Sequence, residues 1–582
     1  MRVNLTNRYY IQGGTIRLFL AFVASAVMLT LAQLPIGLWP LAWIAYVPFI
    51  VACSPQVNPL KLALAAFIIS ACFWLGNIYW MSFVTVGGWI AFCLYTALLW
   101  PILALSLRWC RAKRIPLVVA VPILVVGIEQ SQGLLLGGFY WHHLSHSQYA
   151  NTTLIQIADI FGAGGVSFLV AMVNGAIAEM IINLEFRIKN LEKKEGRRFL
   201  ILNSQFSILI VAAAVIGATI YGKWRISQSD KYITTGPMIA AVQTNVAQSV
   251  KRSFAAEEQI LDELLGQNKQ CVEAGAKLVV WPETMVQAIL EPQVLRMIPD
   301  ESHIYKQFDK IISEQARKGA YILVGAIGGN PRIEENFDIR MAQKYNAAFF
   351  YTADGNQSPQ KYYKIHLVPF GEYIPFVSIP LMYNLFLKFS PYDFDYTIDP
   401  GREFTVFEMQ PTDTNSTYRF SVIICYEDAV ASVVRRFVPD KEGNKLIDWL
   451  VNISNDGWFV RFKNDKVLTS TELAQHTAIC AFRAVENRTA ILRSVNTGIS
   501  CTIDTLGRIK DGYAAGNLPQ KAFERQGIAG WFADVVPIDS RITFFSKYGQ
   551  WLDFSCQLSL AGIIIAQLLE RFIIRQKKKR ER

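Results

Sequence analysis

At 582 residues, 52% of them hydrophobic, the chain is too long for a single hydrophobic core and too apolar for an ordinary soluble enzyme. A net charge of +11 admits a nucleic-acid reading, but the cations gather beside apolar segments and in the run RQKKKRER, which is more simply a stop-transfer and headgroup anchor, so no nucleic-acid partner is expected. Nine cysteines with no CxxC pair and no Cys/His cluster at ligand spacing argue against zinc, and no metal site is expected.

No Asp, Glu, Lys or Arg occurs from Leu18 to Leu60, from Leu62 to Leu107 or from Phe199 to Gly222. A bilayer helix needs about 20 mostly apolar residues. The pattern predicts about eight spans, near Thr15 to Gln33, Ile36 to Cys53, Leu60 to Phe83, Trp89 to Trp109, Ile115 to Leu135, Ala163 to Ile182, Leu200 to Gly222 and Leu552 to Ile573. The first reads as an uncleaved anchor rather than a signal peptide, because another span follows at once. Lys and Arg mark the cytoplasmic loops. They cluster at Arg2 and Arg8, at Lys61, at Arg108, Arg111, Lys113 and Arg114, and from Arg187 to Arg198, whereas the alternate loops carry none. Both termini are then cytoplasmic, and the segment between the last two spans faces the opposite compartment. The domain expectation is 1–222 membrane, 223–550 outer domain and 551–582 final helix with a basic tail.

From Pro237 the pattern changes to short β-rich runs, among them MIAAVQTNV, KLVVWPE, YILVGAI, YNAAFFYTADG, RFSVIICYE, WLVNISND, TAILRSVN and SCTIDTLG. Helical spacing separates them at Ala255 to Ala274, Ile304 to Lys318 and Thr469 to Asn487. This alternation predicts an α/β layered domain with chemistry at its strand ends.

Three segments of that domain carry reactive groups: WPE at Trp281 to Glu283, YYKIHLVPFGEYIP at Tyr362 to Pro375, and IICYED at Ile423 to Asp428. A carboxylate (Glu283), an ammonium (Lys364) and a thiol (Cys425) form the minimum set for acyl transfer through a thioester, as base, oxyanion-stabilising cation and nucleophile. Singly, each has a plainer reading. Cys425 in an Ile-Ile-Cys run is usually a buried hydrophobe, Glu283 could begin a helix capped by Thr284, and Lys364 could be a solvated strand residue. Cys53, Cys72, Cys93, Cys110 and Cys556 read as packing residues of the spans, and Cys271, Cys480 and Cys501 as structural thiols. Glu129 and Glu179 are costly at membrane depth. His142, His143 and His146 invite a metal reading, but fall in an aromatic interfacial loop.

The three segments resemble the Glu-Lys-Cys triad of the nitrilase, or carbon-nitrogen hydrolase, superfamily, whose fold is an α-β-β-α sandwich. HLVPFGEYIP and CYE resemble more specifically the apolipoprotein N-acyltransferase family. GFYWHHLSHSQ, LIQIADIFGAGGVSFLVAMVN, SNDGWF, QH at Gln475 and His476, RAVENR and NTGIS follow the family order, so the resemblance covers nearly the whole chain. Departures fall at Tyr140, in place of a proline, at Gln132, often an arginine, at Arg252, where a tryptophan is common, and in FVRFKNDKV after Trp458, which lacks a Gly-Pro turn. They bear on substrate preference more than on the triad.

The resemblance implies a polytopic α-helical membrane domain joined to a nitrilase-like sandwich in a bacterial inner membrane, with the catalytic domain periplasmic. It implies an enzyme without cofactor, acting as a monomer, that passes an acyl chain from a membrane phospholipid through Cys425 to the α-amine of a diacylglyceryl-cysteine apolipoprotein. Glu372, Tyr426 and Glu427 become supporting residues, Glu129 fits a family position, and Phe376 to Tyr392 is expected to form a mobile, membrane-dipping loop. The rival readings are a membrane-tethered amidase, with water as second nucleophile, and a non-enzymatic scaffold.

Overall fold

The computed structural model describes residues 5–189, 197–247, 254–333, 339–375, 379–387, 396–463 and 466–581. Arg252 and residues 376–378 and 388–392 of the expected loop from Phe376 to Tyr392 lie outside them; within that loop the helix Pro380–Leu387 is described. The chain forms two compact units, one of Met1–Tyr79, Trp89–Trp224 and Gln550–Arg582, the other of Trp80–Gly88 and Arg225–Gly549.

Among the described residues seven helices are long and apolar enough to cross a membrane: Thr15–Ala32, Pro59–Asn77, Val86–Ala112, Leu117–Leu134, Leu154–Phe186, Phe206–Ser227 and Trp551–Arg580. At the place of the expected second span lies a shorter apolar stretch, Trp39–Ala52. It is broken into a 3₁₀ turn, Trp39–Trp43, and a short helix, Val47–Ala52, each with a proline in its first turn. Proline lacks an N–H and resists continuing a helix from the preceding turn. The backbone groups exposed by the break are met by side chains, as apolar surroundings require. Asn174 Nδ2 donates to Ala42 O at 2.9 Å, Asn174 Oδ1 accepts from Tyr46 N at 2.8 Å, and Ser25 Oγ accepts from Phe49 N at 3.0 Å.

Glu179 accepts from the backbone N–H of Leu117 at 3.1 Å, placing an anion at the N-terminus of Leu117–Leu134. Glu129 is buried and accepts from Leu144 N at 2.6 Å. Gln132 Nε2 donates to the carbonyls of Phe139 and Trp141, both at 2.8 Å. Tyr140 lies so close to Gly133 that a Cβ there would meet its ring at 2.2 Å. Both departures from the family pattern thus brace one loop. His142 packs edge-on against Phe73 and Trp74 there, and His143 stacks on His146 with ring centroids 5.0 Å apart.

The second unit contains β1 (Ile233–Gln243), β2 (Leu278–Val280), β3 (Tyr321–Ile333), β4 (Ile339–Tyr351), β5 (Gln357–Tyr363), β6 (Phe407–Met409), β7 (Tyr418–Ile424), β8 (Trp449–Asn455), β9 (Arg461–Lys463), β10 (Lys466–Leu468), β11 (Ala490–Asn496), β12 (Cys501–Ile503), β13 (Ala515–Gly516) and β14 (Gly530–Asp539). One mixed sheet runs β13-β14-β1-β2-β3-β4-β5, a second runs β12-β11-β8-β7-β6, and β9 and β10 form a hairpin.

The two larger sheets pack face to face, with Phe350 of the first against Phe407 and Phe420 of the second, centroids 5.4 and 5.5 Å apart. Ser494 Oγ, on β11, stitches them by lying 2.7 Å from Val242 O and 3.0 Å from Val280 O. Phe254–Glu273 and Ile304–Ala316 bury Leu264, Phe308 and Ile312 against the outer face of the first sheet. Thr471–Asn487 flanks the second and is buried from Glu472 to Asn487. The layers are α-β-β-α. All eight β-rich runs in the sequence contribute strands. The missed ones are β5, too polar to alternate, the short β6, β13 and hairpin strands, and β14, whose proline interrupts its run.

Candidate active site

Each reactive group sits just past the end of a strand, where the ladder no longer holds the backbone. β7 ends at Ile424, and Cys425 then takes φ 54°, the left-handed region that an L-residue adopts only when its surroundings hold it there. Asn452 of β8 helps, donating from Nδ2 to Cys425 O at 3.3 Å. The turn Cys425–Ala429 follows.

Glu427 fixes that turn from within. Its carboxylate accepts from Ile424 N at 2.7 Å, and also from Ile365 N at 2.7 Å and His366 N at 2.9 Å, the two residues after Lys364. One buried carboxylate therefore ties the Cys425 turn to the Lys364 segment.

Lys364 follows β5 and is anchored by its own backbone, donating to Asn346 O at 2.9 Å and accepting from Gly401 N at 2.7 Å. Its buried Nζ lies 2.8 Å from Glu372 Oε2 and 3.8 Å from Glu283 Oε1. Burial alone would lower the ammonium's pKa, but Glu372, Cys425 and Glu283 hold it well above the ordinary lysine value. Lys364 is a fixed cation.

Glu283 lies in the turn after β2, buried, with Trp281 N bonded to Leu323 O at 2.9 Å and Trp281 Nε1 donating to Asn268 at 3.2 Å. No helix begins here, and Thr284 stands at φ 49°. Asn346 Nδ2 lies 2.6 Å from Glu283 Oε1 and 3.1 Å from Glu372 Oε1, bridging the two carboxylates that share Lys364. Glu372 is held in turn by Val368 N at 2.8 Å.

Burial, with the nearby Glu283 charge, pushes the Cys425 thiol well above its ordinary value, while Lys364 and His476 pull it down. These surroundings favour the protonated thiol.

Residues 25–176 match the family model described as apolipoprotein N-acyltransferase N-terminal domain, and residues 238–518 match carbon-nitrogen hydrolase. An apolipoprotein N-acyltransferase of Geobacter metallireducens is 28% identical over 570 residues, 95% of this chain and 95% of that protein. One of Chlorobaculum tepidum is 26% identical over 91% of this chain and 92% of its own length. Apolipoprotein N-acyltransferase 2 of Treponema denticola is 28% identical over 68% of this chain and 67% of its own length. Along nearly its whole length this chain is similar to apolipoprotein N-acyltransferases.

In this chain Glu283, Lys364 and Glu372 form one contact group, Cys425 lies in its field, and Glu427 links the two segments. Tyr426 is half-buried, its ring 6.1 Å from that of His366. Sequence reasoning missed Asn346, although a lone Asn in the apolar run YNAAFF is the kind of signal that finds such a residue.

It also missed a buried charged group next to Cys425. Asp428 pairs with Arg493, and Asp428 Oδ1 lies 2.7 Å from His476 Nε2. His476 Nδ1 lies 3.2 Å from Glu472 Oε1 and 3.4 Å from Asp456 Oδ1. Asp456, Glu472 and His476 bring ligand-type atoms within 4.8 Å of one another, the one such trio among the described residues. Arg493 supplies a cation to this group from within the protein: its Nη2 lies 3.9 Å from Asp456 Oδ2.

Proposed function

We propose that the chain transfers an acyl group from a membrane phospholipid to the α-amine of a diacylglyceryl-cysteine at the start of an apolipoprotein, in two steps through a thioester on Cys425. The observation that carries this is the juxtaposition of a buried, permanently charged Lys364 with Glu283 beside the strained Cys425 turn, in a chain with seven apolar helices of spanning length among its described residues.

In the first step Glu283 takes the Sγ proton as sulfur attacks the ester carbonyl carbon. The carbonyl oxygen becomes an oxyanion in the field of Lys364. Collapse breaks the ester C–O bond, and the departing lysophospholipid oxygen takes the proton back from Glu283. Preorganised donors of this kind contribute roughly 3 kcal/mol each. In the second step the acceptor amine attacks the thioester carbonyl, Glu283 receives its proton, the amide forms as the C–S bond breaks, and the proton returns to sulfur. Ping-pong kinetics follow.

The triad's geometry alone suits an amidase equally. What favours lipid substrates is the membrane unit, together with the relatives matched along both units. The positive-charge bias of the loops supports a periplasmic catalytic domain, Lys223 to Gln550, with the remainder in or beside the inner membrane and the termini cytoplasmic. A monomer suffices, because one chain carries every group the two steps use.

The test is mass spectrometry of purified protein mixed with phospholipid, wild type against Cys425→Ala. An acyl adduct confined to Cys425, discharged by a diacylglyceryl-cysteine peptide and only slowly by water, is the expected result. Fast discharge by water would favour the amidase, and absence of any adduct would end the thioester reading.

A further inference from the structure

We propose that His476 is a positioning residue for the transfer chemistry: a buried imidazolium, held charged by Asp428 and Glu472, that acts with Lys364 to stabilise the anion formed at Cys425 Sγ. The inference rests on the reading of Cys425 as the nucleophile and goes beyond it by naming a second cation of the site.

The argument is geometric. A neutral imidazole carries one N–H and one bare lone pair. Here both ring nitrogens face carboxylate oxygens, Nε2 at 2.7 Å from Asp428 and Nδ1 at 3.2 Å from Glu472. Either neutral tautomer would aim a lone pair at an anion in a water-poor interior, whereas the doubly protonated ring offers an N–H to each side.

The charged groups packed on His476 come from four elements. Asp428 lies in the turn after β7, Asp456 in the turn after β8, Glu472 one helical turn earlier on Thr471–Asn487, and Arg493 on β11. Three carboxylates face one guanidinium, so the group needs a further positive charge, and the imidazolium supplies it. Burial and Asp456 raise the Glu472 pKa, while its contact with His476 and the charge of Arg493 pull it back toward the ionised form. Burial opposes the charge on His476, and Asp428 and Asp456 outweigh it.

A second cation also answers a deficit at the nucleophile. Lys364 is shared by Glu372 and Glu283, at 2.8 and 3.8 Å, so two carboxylates offset much of its field. Cys425 therefore feels Glu283 and Asp456 against ionisation, and Lys364 and His476 in favour. Removing His476 takes away one of the two largest favourable charges.

The test follows iodoacetamide labelling of Cys425 against pH in the full-length, detergent-purified protein, read by peptide mass spectrometry, for wild type, His476→Gln and Asp456→Asn, with each melting temperature recorded. The pH midpoint of His476→Gln is expected to rise by about one unit, slowing labelling roughly tenfold below it, whereas that of Asp456→Asn falls. Structural loosening would expose the thiol and speed labelling in both variants. Shifts of the same sign, or an unmoved midpoint in His476→Gln, would overturn the proposal, and His476→Asn replaces the Gln variant should that not fold. Failure of the underlying reading is separately visible: Cys425→Ala would then retain transfer.

Discussion

The Tyr362 hydroxyl lies 2.8 and 2.9 Å from the two carboxylate oxygens of Glu427, at the hinge between the lysine segment and the cysteine turn. With the N–H groups of Ile424, Ile365 and His366, four donors converge on one acceptor-only side chain. Glu427→Gln keeps the shape but turns an NH₂ toward donors, leaving buried groups unmet. We expect it to cost on the order of 3 kcal/mol of stability and to lower acyl-enzyme formation about 100-fold, whereas Tyr362→Phe, which removes one donor, costs about 1 kcal/mol. Thermal unfolding and single-turnover acylation measure both.

Asn346 keeps Glu283 and Glu372 apart in function while joining them in space. Asn346→Ala removes the bridge and leaves Glu283 free to close on Lys364, so the base is misdirected; a roughly 10- to 100-fold fall in acylation rate is expected, with little change in phospholipid KM. Asn346→Asp brings a third carboxylate to one ammonium and should be worse, with the Cys425 labelling midpoint displaced upward. A midpoint that stayed at the wild-type value in Asn346→Asp would show that the bridge does not act through charge.

The signs of the charges around Cys425 separate reactivity from catalysis. Burial and Glu283 raise the thiol's pKa, so Glu283→Gln removes a raising charge: labelling by iodoacetamide at fixed pH should quicken several-fold even as acyl transfer disappears with the base. Lys364 lowers it, so Lys364→Met should slow labelling and transfer together. Slower labelling in Glu283→Gln would mean that Glu283 does not oppose thiolate formation.

The sheet was legible where strands are apolar and end in chemistry. KLVVWPE and RFSVIICYE announce both the buried run and the reactive residue after it. The anchoring of Lys364 was not, because QSPQKYY is too polar to read as β5 and its pairing to Ala347–Tyr351 is set by tertiary contact. Glu427 was visible as a neighbour of Cys425, yet its bond to Ile365 spans 62 positions and no local pattern encodes it. The charged group around His476 is hidden for the same reason: Asp428, Asp456, Glu472 and Arg493 come from separate elements. The segment Ile36 to Cys53 shows the opposite error, where composition suggested a continuous span and Pro40 and Pro48 divide it.

Gly325 on β3 tests how finely the base is placed. A Cβ at this position would sit 2.5 Å from Pro282 O, 2.7 Å from Glu283 Cα and 2.8 Å from Thr284 N, all backbone atoms of the turn that presents Glu283. None can swing aside as a long side chain could, so Gly325→Ala must push the turn off the sheet. Overpacking of this kind costs typically 1–3 kcal/mol, roughly, and a displacement approaching 1 Å at a reacting group is enough to reduce rates about 100-fold. The expected variant is folded, melts lower than wild type, still labels at Cys425 with iodoacetamide, and forms the acyl-enzyme at about 1% of the normal rate. Normal acylation in Gly325→Ala would show that the turn yields without moving the carboxylate, and the close approach of β3 would then serve packing alone.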